Sequence, residues 1–566
     1  MRIDSLSVTI RRSRARRRTV PVFFGKDKII HRTINYSTNY DIQQNPLPKR
    51  SLTVTCLGYT CHIFIIHYNQ TMKKPVVIFF LLLITSALLY LYKLPQMATF
   101  DADQDYYAQK YVDIVQNHQP TLLGIEASVG GIFVAPLYTY FSTLIYAASA
   151  GDPMGIFLVS MVIAALQGPL TYLLFSKLKN QKTAVIAGLL VVFSELLWHK
   201  AFAPSVIGLI YLAGLFFFYY LCTLSKNPKS IIMLGLICGL GINLHVSLFA
   251  FVPVTIIYLL WKRPRNIKIS DYIVSLIVLL ALSSPLFLFD IRHRFFLFQN
   301  LLGFLQQGSS GADSNYPDNV IRIIRSIINT FAFTLVPQEI LGKLLVLATL
   351  PYLFLKSKSD KTVQTAGFVL LTSFLMFCFY FGDLTDYYFH FLLAPFIFVF
   401  ANLLGTISSK RGPRSVFMNV GEVLDWTARS TKREREDHGL RPWESIFKLP
   451  LLKVAVATLL CLMFIIDLQG IKGSVNPYNY FVKKQAVEYI KSRVKNQKTK
   501  IYFDTDLGYS VGYNYLFKRA GINIVDKNYE FLYQIVVRDD QKKPGKEFIA
   551  KRGYNSIRVI KLSNNI

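Results

Sequence analysis

Residues 72–94 read MKKPVVIFFLLLITSALLYLYKL, in which two lysines precede a long apolar run. An α-helix rises about 1.5 Å per residue, so the run 76–94 would be roughly as long as the hydrocarbon core of a bilayer is thick. Basic residues before such a run are typical of the cytoplasmic flank of a first membrane span. The stretch therefore predicts a transmembrane helix that begins on the cytoplasmic side.

Similar apolar runs recur along most of the chain, and only 17% of all residues are charged. The further predicted spans lie at about 154–176, 183–198, 205–223, 230–243, 246–261, 272–289, 340–356, 365–381, 390–407 and 449–466. This pattern predicts a mainly α fold, a polytopic transmembrane helical bundle of about eleven spans plus juxtamembrane helices.

The charge distribution gives the bundle an orientation. The net charge is +30, and because most basic residues lie in short loops, it favours membrane topology over nucleic-acid binding. The basic loops after the first span lie near 177–182, 226–229, 262–265, 356–361 and 410–448. A further apolar stretch, 132–149, would place all of them outside if it crossed the membrane. We therefore expect it to be re-entrant or to lie at the surface, which suits Gly130, Gly131 and Pro136 and leaves the loops 95–131 and 290–339 outside.

The two ends of the chain differ from the bundle. Residues 1–71 are basic and aperiodic, and two interpretations stay open: a disordered cytoplasmic tail, or the product of a mis-assigned start codon. The predicted transmembrane domain spans 72–468. Residues 469–566 have a soluble composition, with a helix-like stretch at 483–494 before a strand-like one at 500–504. This alternation predicts a small extracytoplasmic α/β domain.

The loop after the first span carries three carboxylates within five residues, Asp101, Asp103 and Asp105. On a helix, Asp101 and Asp105 would share a face, where like charges repel. Repulsion beside low-dielectric lipid raises the pKa of a carboxyl group and prepares it to act as a general base. The alternative interpretation is a solvated acidic helix N-terminus, which the helix dipole favours.

Basic residues on the predicted outer face form a second candidate group. Arg292, His293 and Arg294 follow the span at about 272–289, and Lys200 follows the span at about 183–198. Their charge runs against the overall bias, and guanidinium groups match the oxygens of a lipid-linked phosphate. The alternative is an interfacial anchor that reaches to the headgroups.

Two histidines complete the candidates. His245 splits an apolar stretch, where an imidazole is a functional candidate, with a simple helix break as the alternative. His390 lies in an outer turn that also holds Asp383 and Asp386. The sequence has no cysteine spacing typical of zinc and no Walker or Rossmann glycine motif. We therefore predict no metal site and no required cofactor, and a divalent-metal requirement stays open.

With these motifs in place, the chain resembles the glycosyltransferase C superfamily, specifically the dolichyl-phosphate-mannose protein mannosyltransferase and aminoarabinose transferase group. The family's acidic motif, often Asp-Glu-x-x-Tyr-Ala, is matched by residues 103–108, with Gln104 in place of Glu. A Pro-Leu-Tyr element follows at 136–138, without the family's usual preceding lysine. The family's late outer-turn aromatic residue or histidine, followed by a span with proline, is echoed by His390 and Pro395.

The resemblance covers about residues 72–566 and implies a membrane hexosyl- or pentosyltransferase. Its donor would be a polyprenyl-phosphate sugar from the bilayer, and its acceptor hydroxyl is unspecified. Asp103 would be the general base, with Asp101 as the second choice. The expected substrate-binding residues are Asp105, Tyr107, Tyr138, Lys200, His245, Arg292, His293, Arg294 and His390. A transporter or flippase of lipid-linked sugars and a glycan ligase or polymerase stay open as alternatives.

Overall fold

The structure is a computed structural model, and its contacts divide the chain into two units, Met1–Gln70 and Thr71–Ile566. In the second unit it describes residues 73–127, 130–310, 316–382, 384–407, 450–474, 476, 479–494, 497–504, 510–537, 547–552 and 555–562. In the first unit it describes only the backbone of short strands. These pair in antiparallel order as β1 with β2, β3 with β4 and β5 with β6. Their bounds are β1 Val8–Ile10, β2 Arg18–Val20, β3 Phe23–Phe24, β4 Lys28–Ile29, β5 Ser51–Cys56 and β6 Tyr59–Phe64.

The second unit is a helical bundle followed by a small sheet. Its helices are α1 Lys73–Met97, α2 Ala102–Tyr111, α3 Leu137–Ala148, α4 Met154–Leu178, α5 Gln181–Phe193, α6 Glu195–Ala201, α7 Ile207–Thr223, α8 Ser230–Leu244, α9 Phe251–Lys262, α10 Ile269–Arg292, α11 Phe296–Ser310, α12 Tyr316–Leu335, α13 Glu339–Ser357, α14 Lys361–Phe377, α15 Leu393–Ile407, α16 Pro450–Gly473, α17 Tyr480–Val494 and α18 Asn514–Ala520. Three tighter or wider turns join them, a π turn at Val112–Gln116 and 3₁₀ turns at Val246–Ala250 and Asp386–Leu392.

The predicted spans coincide with helices of the bundle. Within the described residues, six helices are long and apolar enough to cross a membrane, or seven if the pair α5–α6, bent by 54°, counts as one span. The four remaining predicted spans match the shorter apolar helices α7, α8, the 246–262 segment and α14. The polytopic helical fold is therefore confirmed, and the chain is a multi-pass membrane protein.

The stretch 132–149, predicted to be re-entrant or to lie at the surface, forms only the short helix α3. Its 12 residues would extend about 18 Å, which is too short for the hydrocarbon core. Its first residues are held by α8, because the backbone N–H of Ala135 donates to the carbonyl of Ile242 at 3.2 Å. The apolar composition of this stretch therefore reflects packing at the end of the bundle rather than a span.

The segment 290–339, predicted as an outer loop, is largely helical, so this prediction was wrong. Helix α12 is amphipathic, with buried Ile323 and Phe331 on its packed face and exposed Arg325 on the other. Its Arg322 donates to the carbonyl of Gly382 at 2.9 Å. An amphipathic helix lacks a continuous apolar run, which is why hydropathy alone did not identify it.

The basic loops gather at one end of the bundle. Lys179 forms an ion pair with Asp360, and Lys262 Nζ donates to Gln364 Oε1 at 2.6 Å. Asn266 Nδ2 donates to the carbonyl of Ser225 at 3.4 Å. These contacts join four of the five basic loops, as the predicted topology requires; the fifth, 410–448, lies outside the described residues.

The C-terminal α/β domain has four strands, in the order β7-β8-β10-β9. Strands β7 and β8 are parallel, whereas β10 is antiparallel to both β8 and β9. Their bounds are β7 Thr499–Asp504, β8 Phe531–Val537, β9 Glu547–Arg552 and β10 Asn555–Leu562. The predicted strand at 500–504 and the predicted helix at 483–494 both fall inside observed elements.

Small residues let the helices approach closely near the candidate site. A Cβ atom on Gly214 of α7 would lie 2.3 Å from the carbonyl oxygen of Phe391. Glycine thus allows α7 to touch the backbone of the 3₁₀ turn that holds Asp386 and His390, as small residues do at membrane helix contacts.

Candidate active site

Asp101 and Gln104 build the N-terminus of α2. The Asp101 carboxylate accepts a hydrogen bond from the backbone N–H of Asp103 at 3.1 Å, and the Gln104 side-chain oxygen accepts one from the N–H of Asp101 at 2.9 Å. This reciprocal capping box satisfies two free donors of the first turn. Buried Gln104 also donates to the carbonyl of Pro204 at 3.3 Å. Gln104 is therefore a structural residue here.

Asp105 joins α2 to the C-terminal domain. Its buried carboxylate accepts hydrogen bonds from the backbone N–H of Tyr515 at 2.9 Å and from Gln109 Nε2 at 2.7 Å. Burial raises the pKa of Asp105, and these two donors oppose that rise. Both carboxylate oxygens are thus engaged by the protein, which distinguishes Asp105 from a carboxylate that is available to substrate.

Asp103 differs from the other two acids. Its carboxylate is partly buried and has no hydrogen-bond partner among the residues that the structure describes. Burial, and then the charge of Asp101, raise the pKa of Asp103 to about 6. A carboxyl group with such a pKa is mostly ionised at neutral pH yet basic enough to accept a proton.

Tyr107 and Tyr138 lie beside Asp103. The two buried rings meet edge to face, with centroids 5.0 Å apart. Burial raises the pKa of both hydroxyl groups, and the charge of Asp103 adds to that rise. Asn243 of α8 fixes Tyr138, because its side-chain oxygen accepts from the N–H of Leu137 at 3.1 Å. The acidic motif at 103–108 and the Pro-Leu-Tyr element at 136–138 are thus brought together.

Lys200, His245 and His390 come together as a second cluster. Lys200 Nζ pairs with Asp386 at 3.0 Å, and Nε2 of buried His390 lies 3.7 Å from the same carboxylate. The ring of His245 meets that of Tyr388 edge to face, with centroids 4.9 Å apart. Asp383, from the same turn, lies outside the described residues.

His245 has a defined tautomer in its neutral form. Its Nδ1 accepts from the backbone N–H of Ser247 at 3.2 Å. A ring nitrogen that accepts a hydrogen bond carries no proton, so the neutral ring carries its proton on Nε2. His245 thus both caps the 3₁₀ turn after α8 and keeps one N–H donor in the second cluster.

Backbone contacts bring the two clusters to the same end of the bundle. The N–H of Thr99, just before α2, donates to the carbonyl of Phe202 at 2.8 Å, two residues after Lys200. On the other side, Asn243 anchors α3 two residues before His245. The three acids and the second cluster therefore lie at one end of the bundle, and the basic loops lie at the other end.

Arg292, His293 and Arg294 lie further out. All three are exposed at the end of α10, and His293 stacks on Phe289 with centroids 3.9 Å apart. Helices α8 and α10 run in the same direction, since early residues pair with early ones and late with late. Ser275 Oγ donates to the carbonyl of Ile231 at 2.8 Å, and Asn243 Nδ2 donates to that of Leu282 at 3.0 Å. Arg292 is ten residues beyond Leu282, or about 15 Å along the axis. These residues share the end of the bundle with Asp103, but no described contact joins them to either cluster.

Comparisons with known proteins agree with the helical membrane fold. The family model described as dolichyl-phosphate-mannose-protein mannosyltransferase matches residues 134–288. The structure of ArnT from Cupriavidus metallidurans bound to undecaprenyl phosphate superposes with a TM-score of 0.52 at 12% identity, covering 87% of this chain and 99% of that one. The chain has the fold of the glycosyltransferase C superfamily. Apo ArnT from the same organism gives a TM-score of 0.51 at 12% identity and covers 87% of this chain and 98% of that one. A search of curated protein sequences gave no significant match.

In this glycosyltransferase C fold, one residue near the acids was missed by sequence reasoning. Lys483 of α17 is buried, and its Nζ donates to the carbonyl of Phe100 at 2.7 Å. The same helix also carries the partly exposed Lys484 and the exposed Lys491, so no local signal separates Lys483 from them. For metals, the described part of the chain contains no group of three His, Cys, Asp or Glu side chains arranged to hold an ion.

Proposed function

We propose that the protein transfers a sugar from a polyprenyl-phosphate donor to an acceptor hydroxyl group, with Asp103 as the general base. The match to the mannosyltransferase family model and the fold shared with ArnT, whose structure contains undecaprenyl phosphate, support the donor class. We further propose that the reaction takes place on the extracytoplasmic face, because the acidic turn lies at the end of the bundle opposite the basic loops.

The base is assigned from a difference in hydrogen bonding among the three acids Asp101, Asp103 and Asp105. Asp101 caps α2, and Asp105 accepts from the C-terminal domain. Asp103 is left without a hydrogen-bond partner in the described region, beside two tyrosines and with its pKa raised to about 6. A base must meet a substrate proton, so the carboxylate that the protein does not occupy is the best candidate.

The reaction is a single displacement at the anomeric carbon. The acceptor oxygen attacks that carbon while Asp103 takes the hydroxyl proton. The bond between the anomeric carbon and the phosphate oxygen breaks, and its electron pair leaves with the polyprenyl phosphate. Attack from the face opposite the leaving group inverts the anomeric configuration. The phosphate gains negative charge in the transition state, so nearby cations and N–H donors lower the barrier.

Lys200 is the proposed partner of the leaving phosphate, together with the N–H of His245. Lys200 is paired with Asp386, so an arriving phosphate would compete with this carboxylate for the ammonium group. Arg292 and Arg294 are exposed at the same end, and we assign them to the first capture of the donor headgroup at the membrane surface. Asp105, in contrast, serves the contact between α2 and the C-terminal domain.

The decisive experiment uses the purified full chain in proteoliposomes with radiolabelled polyprenyl-phosphate sugars and an envelope lipid extract as the acceptor source. A transferase forms a labelled glycoside and free polyprenyl phosphate, whereas a flippase moves the intact donor between leaflets. We expect donor cleavage to be lost in Asp103→Asn and retained in Asp113→Asn. Asp113 is a matched control, because it lies ten residues after Asp103 and its carboxylate pairs only with Lys110 in the described region. Movement of the donor without cleavage would exclude the proposed reaction.

The proposed orientation has its own test. Ala102 beside the base and Lys182 in a basic loop are both exposed. In a background without cysteine, Ala102→Cys should react in intact cells with a membrane-impermeant maleimide, and Lys182→Cys should react only after lysis. The reverse labelling pattern would contradict an extracytoplasmic active site.

A further inference from the structure

Lys483 enters the acidic turn from the C-terminal domain. Its side chain is 1% exposed, and Nζ donates to the carbonyl of Phe100 at 2.7 Å and to that of Val511 at 2.6 Å. Phe100 immediately precedes Asp101, so this ammonium group ties the backbone at the start of α2 to the turn 511–513. Burying a lysine is costly, and such a residue is retained only where its charge is compensated.

The turn 511–513 is shaped to admit this lysine. Gly512 has a φ of +79°, and a Cβ atom there would lie 2.3 Å from the Phe100 carbonyl oxygen and 3.0 Å from Lys483 Nζ. Only glycine allows this close approach at positive φ. The ring of Tyr513 covers the ammonium group, with its centroid 4.9 Å from Nζ.

The charged groups that face Lys483 are the acids of α2. Asp101 and Asp105 act on it from that helix, and Tyr513 faces it from the C-terminal domain. Burial lowers the pKa of Lys483 to about 7, against the opposing effect of the two carboxylates. In return, Lys483 opposes the rise that burial imposes on the pKa of Asp101 and of Asp105.

We infer that Lys483 is a positioning residue for the acidic turn, so that the C-terminal domain completes the active site rather than standing beside it. Its ammonium group fixes the backbone before Asp101 and keeps the two flanking carboxylates ionised, which leaves Asp103 as the carboxyl group that exchanges protons with substrate. This inference rests on the proposed role of Asp103 as the base.

The pH dependence of sugar transfer is set by Asp103 and Lys483. Below about pH 6 Asp103 takes up a proton and cannot accept another. Above about pH 7 Lys483 loses its charge, so Asp101 and Asp105 lose their compensating cation. The rate of sugar transfer should therefore have an acidic limb set by Asp103 and a basic limb set by Lys483.

The test is the pH–rate profile of the full chain in proteoliposomes for the wild type, Lys483→Met, Lys483→Arg and the control Lys491→Met, which changes an exposed lysine of the same helix. Lys483→Met should lower kcat on the order of 10²-fold, as expected for a displaced catalytic group, leave the KM for the donor unchanged, and abolish the basic limb. Lys483→Arg, which keeps its charge, should move the basic limb upward in pH. Lys491→Met should match the wild type.

Two outcomes would overturn the positioning role. One is a Lys483→Met enzyme with the wild-type rate and profile. The other is a Lys483→Arg enzyme whose pH–rate profile keeps the wild-type basic limb, and this result decides the question if Lys483→Met does not fold. Failure of the proposed function is recognised separately, because an active Asp103→Asn enzyme would remove the base whatever Lys483 does.

Discussion

Replacing Asp105 by alanine should weaken the attachment of the C-terminal domain to α2. The change removes the acceptor of the Tyr515 N–H, the acceptor of Gln109 and one of the anions that face Lys483. A buried charge-assisted hydrogen bond contributes about 1.5–3 kcal/mol, and leaving buried donors unpaired adds to the loss. Burial raises the pKa of Asp105, so deleting the carboxylate also relieves some desolvation cost. We therefore expect a net loss of about 2–3 kcal/mol in the free energy of local opening.

Hydrogen exchange measured by mass spectrometry reports this loss directly, because the N–H of Tyr515 is itself the donor. A loss of about 2–3 kcal/mol corresponds to a roughly 30- to 150-fold fall in the protection of the peptide that contains residues 511–517. Asp113→Ala removes only a partly exposed pair with Lys110 and should cost less than about 0.5 kcal/mol. Equal protection in both variants, or full protection in Asp105→Ala, would refute the reasoning.

Three further predictions follow from the geometry. Asp103→Asn should raise the midpoint of thermal unfolding at pH 8 but not at pH 4. The folded-state pKa of about 6 lies above the ordinary value of 3.8, so the ionised carboxylate destabilises the fold at pH 8, whereas at pH 4 the carboxyl group is mostly protonated in the folded state. An equal shift at both pH values would contradict the assigned pKa. Asn243→Leu removes the acceptor of the Leu137 N–H and should lower kcat on the order of 10-fold or more, with activity equal to the wild type as the contradicting result. Gly214→Ala should lower the thermal midpoint by forcing α7 away from Phe391, and an unchanged midpoint by scanning calorimetry would show that the contact is not needed.

Hydropathy predicted the bundle well, because a membrane span needs a continuous apolar run that is visible in the sequence. Helix α12 was missed for the same physical reason, since its polar face interrupts the run. Its Arg322 has an internal role, donating to Asn319 Oδ1 at 2.7 Å, which no sequence window reports.

The candidate site was predictable only in part. Lys200, His245 and His390 were identified one by one, after a span, within an apolar stretch and in an outer turn. The contacts that group them became visible only in the fold. The different engagement of the three acids could not be predicted, because the donor to Asp105 is a backbone N–H 410 residues away. Lys483 is likewise 383 residues from its acceptor at Phe100, and such contacts leave no local pattern in a single sequence.

The Arg292 group shows the limit of reasoning from charge alone. A cluster of cations at a span end predicts a phosphate contact, but the length of α10 carries these exposed side chains about 15 Å beyond the level of Asn243. Their role in capturing the donor headgroup stays a proposal. Binding of polyprenyl phosphate by the double variant Arg292→Gln, Arg294→Gln tests it, with weaker binding expected and unchanged affinity as the contradicting result.

The central claim is that Asp103, alone among the three acids, takes the acceptor proton. The most direct measurement compares donor binding with sugar transfer in Asp103→Asn and Asp101→Asn, using one radiolabelled polyprenyl-phosphate sugar. We predict that Asp103→Asn binds the donor like the wild type and forms no glycoside, while Asp101→Asn keeps measurable transfer. Transfer by Asp103→Asn at the wild-type rate would contradict the account.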